Sequence, residues 1–218
     1  VLGDKKLNML GKSYGTLLGA SYAHLFPQNV GRLVLDGAVD PTVSLQEMNV
    51  QQAKAFEAAL NTYLDKYAAD CASTGECPFG VTREEAHATI DELIANSDTT
   101  ALPSKSKRPV TQSEVILGIL SSLYDSDGGW SSLTYALTTA VQGDGTDLLA
   151  LADYYVDRGP DGKYLINSNE IGYAVNCMDK NQRVTIESVR AEAVTLAKAS
   201  PTFGGYLAWS SFPCNYWP

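Results

Sequence analysis

The sequence predicts an α/β chain in which a short strand, helix, strand segment is followed by a large, mainly helical segment. Three observations carry this. An apolar run at Leu7, Met9 and Leu10 breaks into Gly11-Lys12-Ser13-Tyr14-Gly15, after which Leu17, Leu18, Ser21, Tyr22 and Leu25 recur at three-and-four spacing, the period of a helix. A second short apolar run, Arg32-Leu33-Val34-Leu35, ends in Asp36-Gly37, as a strand ends at a turn. Beyond Asp40-Pro41 the apolar period is helical almost to the end, and no later run reads as a core strand.

Residues 1–6 are polar and read as the loop ahead of the first strand. The helix after Ser13 runs to about Phe26, where Pro27 removes an N–H and restricts its predecessor. Leu7 to Asp36 is therefore a right-handed strand, crossover helix, strand unit of a parallel sheet, with Ser13 and Asp36 at the carboxyl ends of the strands, where such sheets bind ligands. A helix follows from Ser44 to about Ala69 on the stripe Leu45, Met48, Ala53, Phe56, Leu60 and Leu64. Further helices are expected at Thr82 to Ala95, Thr111 to Tyr124, Gly129 to Val141, Asp147 to Val156, Asn169 to Met178 and Thr185 to Ala199. Thr82 and Glu85 have the spacing of a capping box. The connectors at 103–109 and 158–163 carry Pro, Ser and Gly. A sheet of two strands is not viable on its own.

At 218 residues the chain holds one domain or two, with 44% hydrophobic and 19% charged content and no apolar run of transmembrane length. The formal net charge of -9 repels phosphate backbones and anionic lipid, which argues against nucleic-acid and membrane partners and suits an amine-bearing substrate. Cys71, Cys77, Cys177 and Cys214 are an even set without a Cys-x-x-Cys spacing and read as two disulfides, with three pairings open. Pairing Cys71 with Cys77 and Cys177 with Cys214 closes a short and a long loop, stabilising by about 2.4 and about 3.9 kcal/mol in the loop-entropy model. Oxidised cysteines place the protein outside the cytoplasm, secreted or in the cell envelope. The chain begins at Val1 without a signal peptide, so such a segment has been removed or the chain is an internal piece of a longer one. No metal or cofactor is expected, because the only histidines, His24 and His87, are isolated in helical contexts.

Gly11-x-Ser13-x-Gly15 between strand and helix is the pattern that exposes a serine nucleophile on a sharp turn; the alternative is a Gly/Ser turn without chemistry. His24 lies eleven residues along the helix that Ser13 opens, roughly 16 Å away at 1.5 Å per residue, too far to serve as its base. His87 falls within a later helix. Lys12 is Ser13's neighbour across a turn and points elsewhere, while Asp36 and Asp40 read as turn residues before Gly37 and Pro41. A serine hydroxyl without a base in reach is a weak nucleophile.

Residues 7–27, Leu-Asn-Met-Leu-Gly-Lys-Ser-Tyr-Gly-Thr-Leu-Leu-Gly-Ala-Ser-Tyr-Ala-His-Leu-Phe-Pro, and 30–41, Val-Gly-Arg-Leu-Val-Leu-Asp-Gly-Ala-Val-Asp-Pro, resemble the secreted tripeptidyl aminopeptidases of actinobacteria, α/β-hydrolase relatives of proline iminopeptidase. Ala174-Val175-Asn176-Cys177-Met178-Asp179 and Pro213-Cys214-Asn215-Tyr216-Trp217-Pro218 resemble the same group. The resemblance implies a partial α/β-hydrolase core at 1–42, an inserted helical lid at 43–205 that closes one end of the cleft, and a return to the core at 206–218. Ser13 would form the acyl-enzyme, and the Tyr14 backbone N–H would supply half of the oxyanion hole. The family's other oxyanion loop precedes the elbow, and its acid and base follow the lid. The rest of the core is then a required partner, and this chain is expected to be an incomplete, inactive part of a serine exopeptidase. Its substrate would be a peptide with a free amino terminus, whose ammonium needs a carboxylate; Glu170 and Asp179 are the candidates. Trp130, Phe203, Tyr206 and Trp209 line a cleft or belong to the core. The alternatives are an esterase or lipase using the same turn, and a non-catalytic binding module.

Overall fold

The computed structural model describes residues 3–179 and 183–217; Val1, Leu2, Lys180, Asn181, Gln182, Pro218 and the side chain of Leu45 lie outside the described residues. The chain divides into two compact units, Val1–Glu47 and Met48–Pro218. The sequence reading drew its first boundary between residues 42 and 43.

The first unit is the strand, helix, strand segment: β1 (Leu7–Lys12), α1 (Tyr14–Leu25), a single 3-10 turn at Pro27–Asn29, and β2 (Val30–Asp36). The strands are parallel, in a register that sets Met9 against Leu33, Gly11 against Leu35 and Lys12 against Asp36. α1 packs closely on the pair because Gly19 lies where a Cβ would stand 2.7 Å from Leu35 Cδ2. Leu10 and Val34 are 62% and 60% exposed. The unit therefore has the hydrophobic strands of a buried parallel sheet without, among the described residues, the layers that bury one.

The second unit is helical. α2 (Leu45–Thr74) begins at the unit boundary, followed by α3 (Arg83–Thr99), α4 (Gln112–Leu123), α5 (Gly129–Val141), α6 (Thr146–Tyr155), α7 (Ser168–Asp179), α8 (Ile186–Ala199) and the single turn α9 (Gly204–Leu207). Leu60, Tyr63 and Leu64 of α2, Ile116 and Ile119 of α4, Leu133 and Leu137 of α5 and Phe203 form the main core. α4 crosses α6 at backbone contact, since a Cβ on Gly118 would meet Leu148 O at 2.6 Å. A smaller cluster joins Ala53 to Val189, Leu196 and Ala208.

Polar groups tie these helices where apolar packing stops. Glu57 of α2 is buried, and its carboxylate accepts from Ser200 Oγ at 2.7 Å, Thr202 N at 3.1 Å and Thr202 Oγ1 at 3.1 Å, which satisfies a charge that would otherwise be costly to bury. Arg108 grips Asp153 of α6 with two bonds of 2.6 and 2.9 Å. The predicted capping box at Thr82 and Glu85 is present. The disulfides join Cys71 to Cys77 and Cys177 to Cys214.

Three stretches differ from the sequence reading. α2 continues past Ala69 to Thr74, because Tyr67 and Cys71 extend its buried stripe and the first residue to break it is Gly75, at φ +77° with its N–H on Cys71 O. α3 runs to Thr99, since Ser97 is buried on the same face as Ile90 and Ile94. Residues 206–217 hold α9's end and a 3-10 helix at Ala208–Tyr216, with Phe203 fully buried just before; no strand is described there.

Leu60 is fully buried at the centre of the main cluster, so Leu60→Ala is expected to cost about 3 kcal/mol. The check is a lower urea midpoint at unchanged slope.

Candidate active site

Ser13 links β1 directly to α1. Its backbone, at φ 50° and ψ −120°, belongs to neither element and costs a non-glycine residue about 1–3 kcal/mol unless its surroundings hold it. Four contacts do so. Ser13 N–H donates to Asp36 O at 3.0 Å, anchoring the turn to the end of β2. The Ser13 carbonyl accepts from Thr16 N at 2.9 Å and Thr16 Oγ1 at 2.6 Å, and Thr16 Oγ1 in turn accepts from Val39 N at 2.9 Å. Thr16 is buried, so one hydroxyl ties the elbow to the segment leaving β2. Sequence reasoning missed Thr16, because threonine in a first helical turn has no distinguishing pattern.

The two motif glycines differ. A Cβ on Gly11 would stand 2.4 Å from Gly15 O, whereas one on Gly15 would meet nothing nearer than Met9 Cε at 4.0 Å. Gly11 is sterically required, and Gly15 is not. Gly37, at φ +67°, carries the end of β2 past Ser13 N.

The Ser13 side chain is exposed. Tyr14 is the first residue of α1, so its amide belongs to the positive end of the helix dipole, where negative charge is stabilised. Lys12 closes β1 and is exposed. Asp36 closes β2, contributing its carbonyl to the turn while its side chain is exposed. The Asp40 carboxylate accepts from Thr42 N at 2.8 Å, as a turn aspartate does. His24, the sole histidine of this unit, sits exposed in the last turn of α1. His87 belongs to α3, with Nε2 3.0 Å from Thr202 Oγ1 and 3.8 Å from Asp91 Oδ2; burial raises the pKa of Asp91, and His87 partly offsets this.

Glu170 and Asp179 both lie on α7 and are exposed. Nine residues separate them, about 13.5 Å along the axis and half a turn around it, so they face opposite sides and do not converge. Cys177 between them is buried in its disulfide. Phe203 is core, Trp130 and Tyr206 pack against it from partly exposed positions, and Trp209 rests edge-on against Phe212 at 5.6 Å. Among the described residues no group of His, Cys, Asp and Glu is arranged to hold a metal.

A family model described as the alpha/beta hydrolase fold matches residues 1–114. The chain belongs to the α/β-hydrolase family. Relatives of this chain include three that differ in coverage. Serine protease Hip1 of Mycobacterium tuberculosis is 37% identical over 229 residues, covering 100% of this chain and 42% of Hip1. Carboxylesterase B of the same organism is 39% identical over 159 residues, 71% of this chain and 29% of the esterase. Tripeptidyl aminopeptidase of Streptomyces lividans is 30% identical over 223 residues, 100% of this chain and 39% of the aminopeptidase. The chain thus spans about two fifths of the two relatives that match it throughout.

The glycine asymmetry gives a test. In the full-length protein Gly11→Ala should slow phosphonylation of Ser13 by a fluorophosphonate about 100-fold, the cost of displacing a reacting group by about an ångström. Gly15→Ala should react within a few-fold of the parent; equal rates for the two variants would contradict the steric account.

Proposed function

We propose that this chain is the nucleophile-bearing part of a serine exopeptidase, of the kind that releases short peptides or residues from the amino terminus of a polypeptide. The observation that carries the reading is the Ser13 turn: an exposed serine in a left-handed backbone at the head of a helix, between parallel strands. Ser13 Oγ would attack the scissile carbonyl, and the oxyanion would form at the amino end of α1, where the Tyr14 N–H supplies one donor. The general base, the acid that orients it and the second oxyanion donor would come from outside these residues, as would the strands that cover Leu10 and Val34. The chain alone would therefore be inactive.

The helical unit is proposed as the lid. The names of the Hip1 and aminopeptidase relatives favour a peptidase. For the substrate ammonium we favour Asp179 over Glu170. The opposed faces of α7 leave room for one of them, and the Cys177–Cys214 disulfide fixes the turn beside Asp179. That disulfide and Cys71–Cys77 fit an oxidising, extracytoplasmic compartment, and among the described residues no helix is long and apolar enough to cross a membrane. One observation favours a second reading: the match to carboxylesterase B spans most of this chain, and an esterase uses the same turn.

The full-length protein decides between them. Tripeptidyl nitroanilides are expected to be cleaved in preference to short acyl nitrophenyl esters, and Ser13→Ala should lower kcat at least about 10⁴-fold. Preference for the esters would favour the esterase, and undiminished turnover in Ser13→Ala would remove Ser13 from the chemistry. Asp179→Asn should raise KM for the nitroanilide about tenfold, as loss of a charge-assisted bond does, while Glu170→Gln leaves it unchanged.

A further inference from the structure

The helical unit contains a cavity of about 810 Å³ that uses none of the elbow residues. It lies between α2, α5 and the loop that the Cys71–Cys77 disulfide closes, and its size is that of a ligand pocket.

Its wall is aromatic, and its two buried tyrosine hydroxyls are already engaged. The Tyr63 hydroxyl pairs with Thr134 Oγ1 at 2.9 Å. The Tyr67 hydroxyl donates to Gly80 O at 3.0 Å and accepts from Phe79 N at 3.2 Å, and its ring stacks on Phe79 with centroids 4.1 Å apart. Trp130 meets Tyr63 edge-on at 6.0 Å, and its Nε1 is buried without a hydrogen-bond partner among the described residues. Burial raises the pKa of both phenols, which keeps the floor neutral.

Three hydroxyls around this floor are also spent as donors. Thr74 donates to Asp70 O, Ser131 to Gly128 O and Thr138 to Thr134 O, at 2.9, 3.0 and 2.7 Å. Lys66 is the lining cation and is paired with Asp70 at 2.7 Å. Glu76 and Asp127 remain, both exposed at the cavity and neither with a cationic partner among the described residues. The cavity thus offers an aromatic wall and two carboxylates without a cationic partner among the described residues. A ligand that brings positive charge and its own donors is well served.

We propose that this cavity binds a basic segment of a polypeptide, with an arginine side chain laid against Trp130 and its guanidinium directed to Glu76 and Asp127. Arginine fits better than lysine, because its planar group stacks on aromatic rings while its N–H groups reach carboxylates. The volume exceeds what one side chain fills, which favours a peptide over a free amine. The short disulfide and the Tyr67 hydrogen bonds hold the wall in place before binding, so little ordering is required.

The test titrates the full-length protein with acetyl-Gly-Arg-Gly-amide and with the same peptide carrying citrulline, a neutral isostere of arginine. Blocking the amino terminus removes the ammonium on which the exopeptidase reading depends, so the two readings fail separately. The arginine peptide is expected to bind at least tenfold more tightly than the citrulline peptide. It should protect residues 63–78 and 126–138 from hydrogen exchange and lose at least fivefold in affinity in the Glu76→Gln/Asp127→Asn double variant, whose substitutions lie on the exposed rim. Equal binding of the two peptides, no binding, protection elsewhere, indifference to the double variant, or maltotriose binding in place of the peptide would overturn the proposal.

Discussion

The structure of the strand unit depends on one hydrogen bond and one steric contact. Ser13 N–H on Asp36 O pins a left-handed residue to the neighbouring strand, and the missing Cβ of Gly11 lets the first turn of α1 close against β1. Without both, the chain would pass from strand to helix through an ordinary loop and the serine would have no fixed direction. The strain at Ser13 is small beside the packing of a whole domain, and local: Thr16 meets it with a hydroxyl that serves Ser13 O and Val39 N–H together. Chemistry at the end of a parallel strand is thus a consequence of how two strands and a helix are joined.

The helical unit follows different rules. Its main core is apolar, but its outer connections rest on buried or half-buried charge: Glu57 held by Ser200 and Thr202, and Arg108 clamped to Asp153. Both disulfides lie in this unit, one closing a six-residue separation at the end of α2 and the other holding α7 to the last 3-10 helix. Covalent ties of this kind suit a compartment that keeps cysteines oxidised. They also fix the two surfaces to which we assign recognition, the end of α7 at Asp179 and the aromatic cavity beside Cys77.

Much of this was legible in the sequence because periodicity reports which face is buried. β1, α1 and β2 fell where the apolar runs placed them, and α5 matched its reading at both ends. The end of α2 beyond Ala69 was not legible, because its last buried contact comes from Cys71, whose place on a helix face the count of cysteines does not show. The Gly-Gly and proline of 204–213 concealed α9 and the following 3-10 helix, which are helical because Phe203 is anchored in the core. Glu57 resembled any solvated helix carboxylate, since its partners lie 143 and 145 residues away. Counting alone left three disulfide pairings open, and only the folded chain selects among them. At the elbow the motif announced Ser13 and both glycines, but the unequal roles of Gly11 and Gly15, and the part played by Thr16, needed coordinates.

The central claim is that the turn between β1 and α1 makes Ser13 a nucleophile in the complete protein. The most direct measurement is tandem mass spectrometry of the full-length protein after reaction with a fluorophosphonate. The account predicts a single phosphonyl adduct on Ser13 within the peptide spanning residues 7–36, abolished by prior unfolding. A folded protein that carries the adduct on another serine, or carries none, would contradict it.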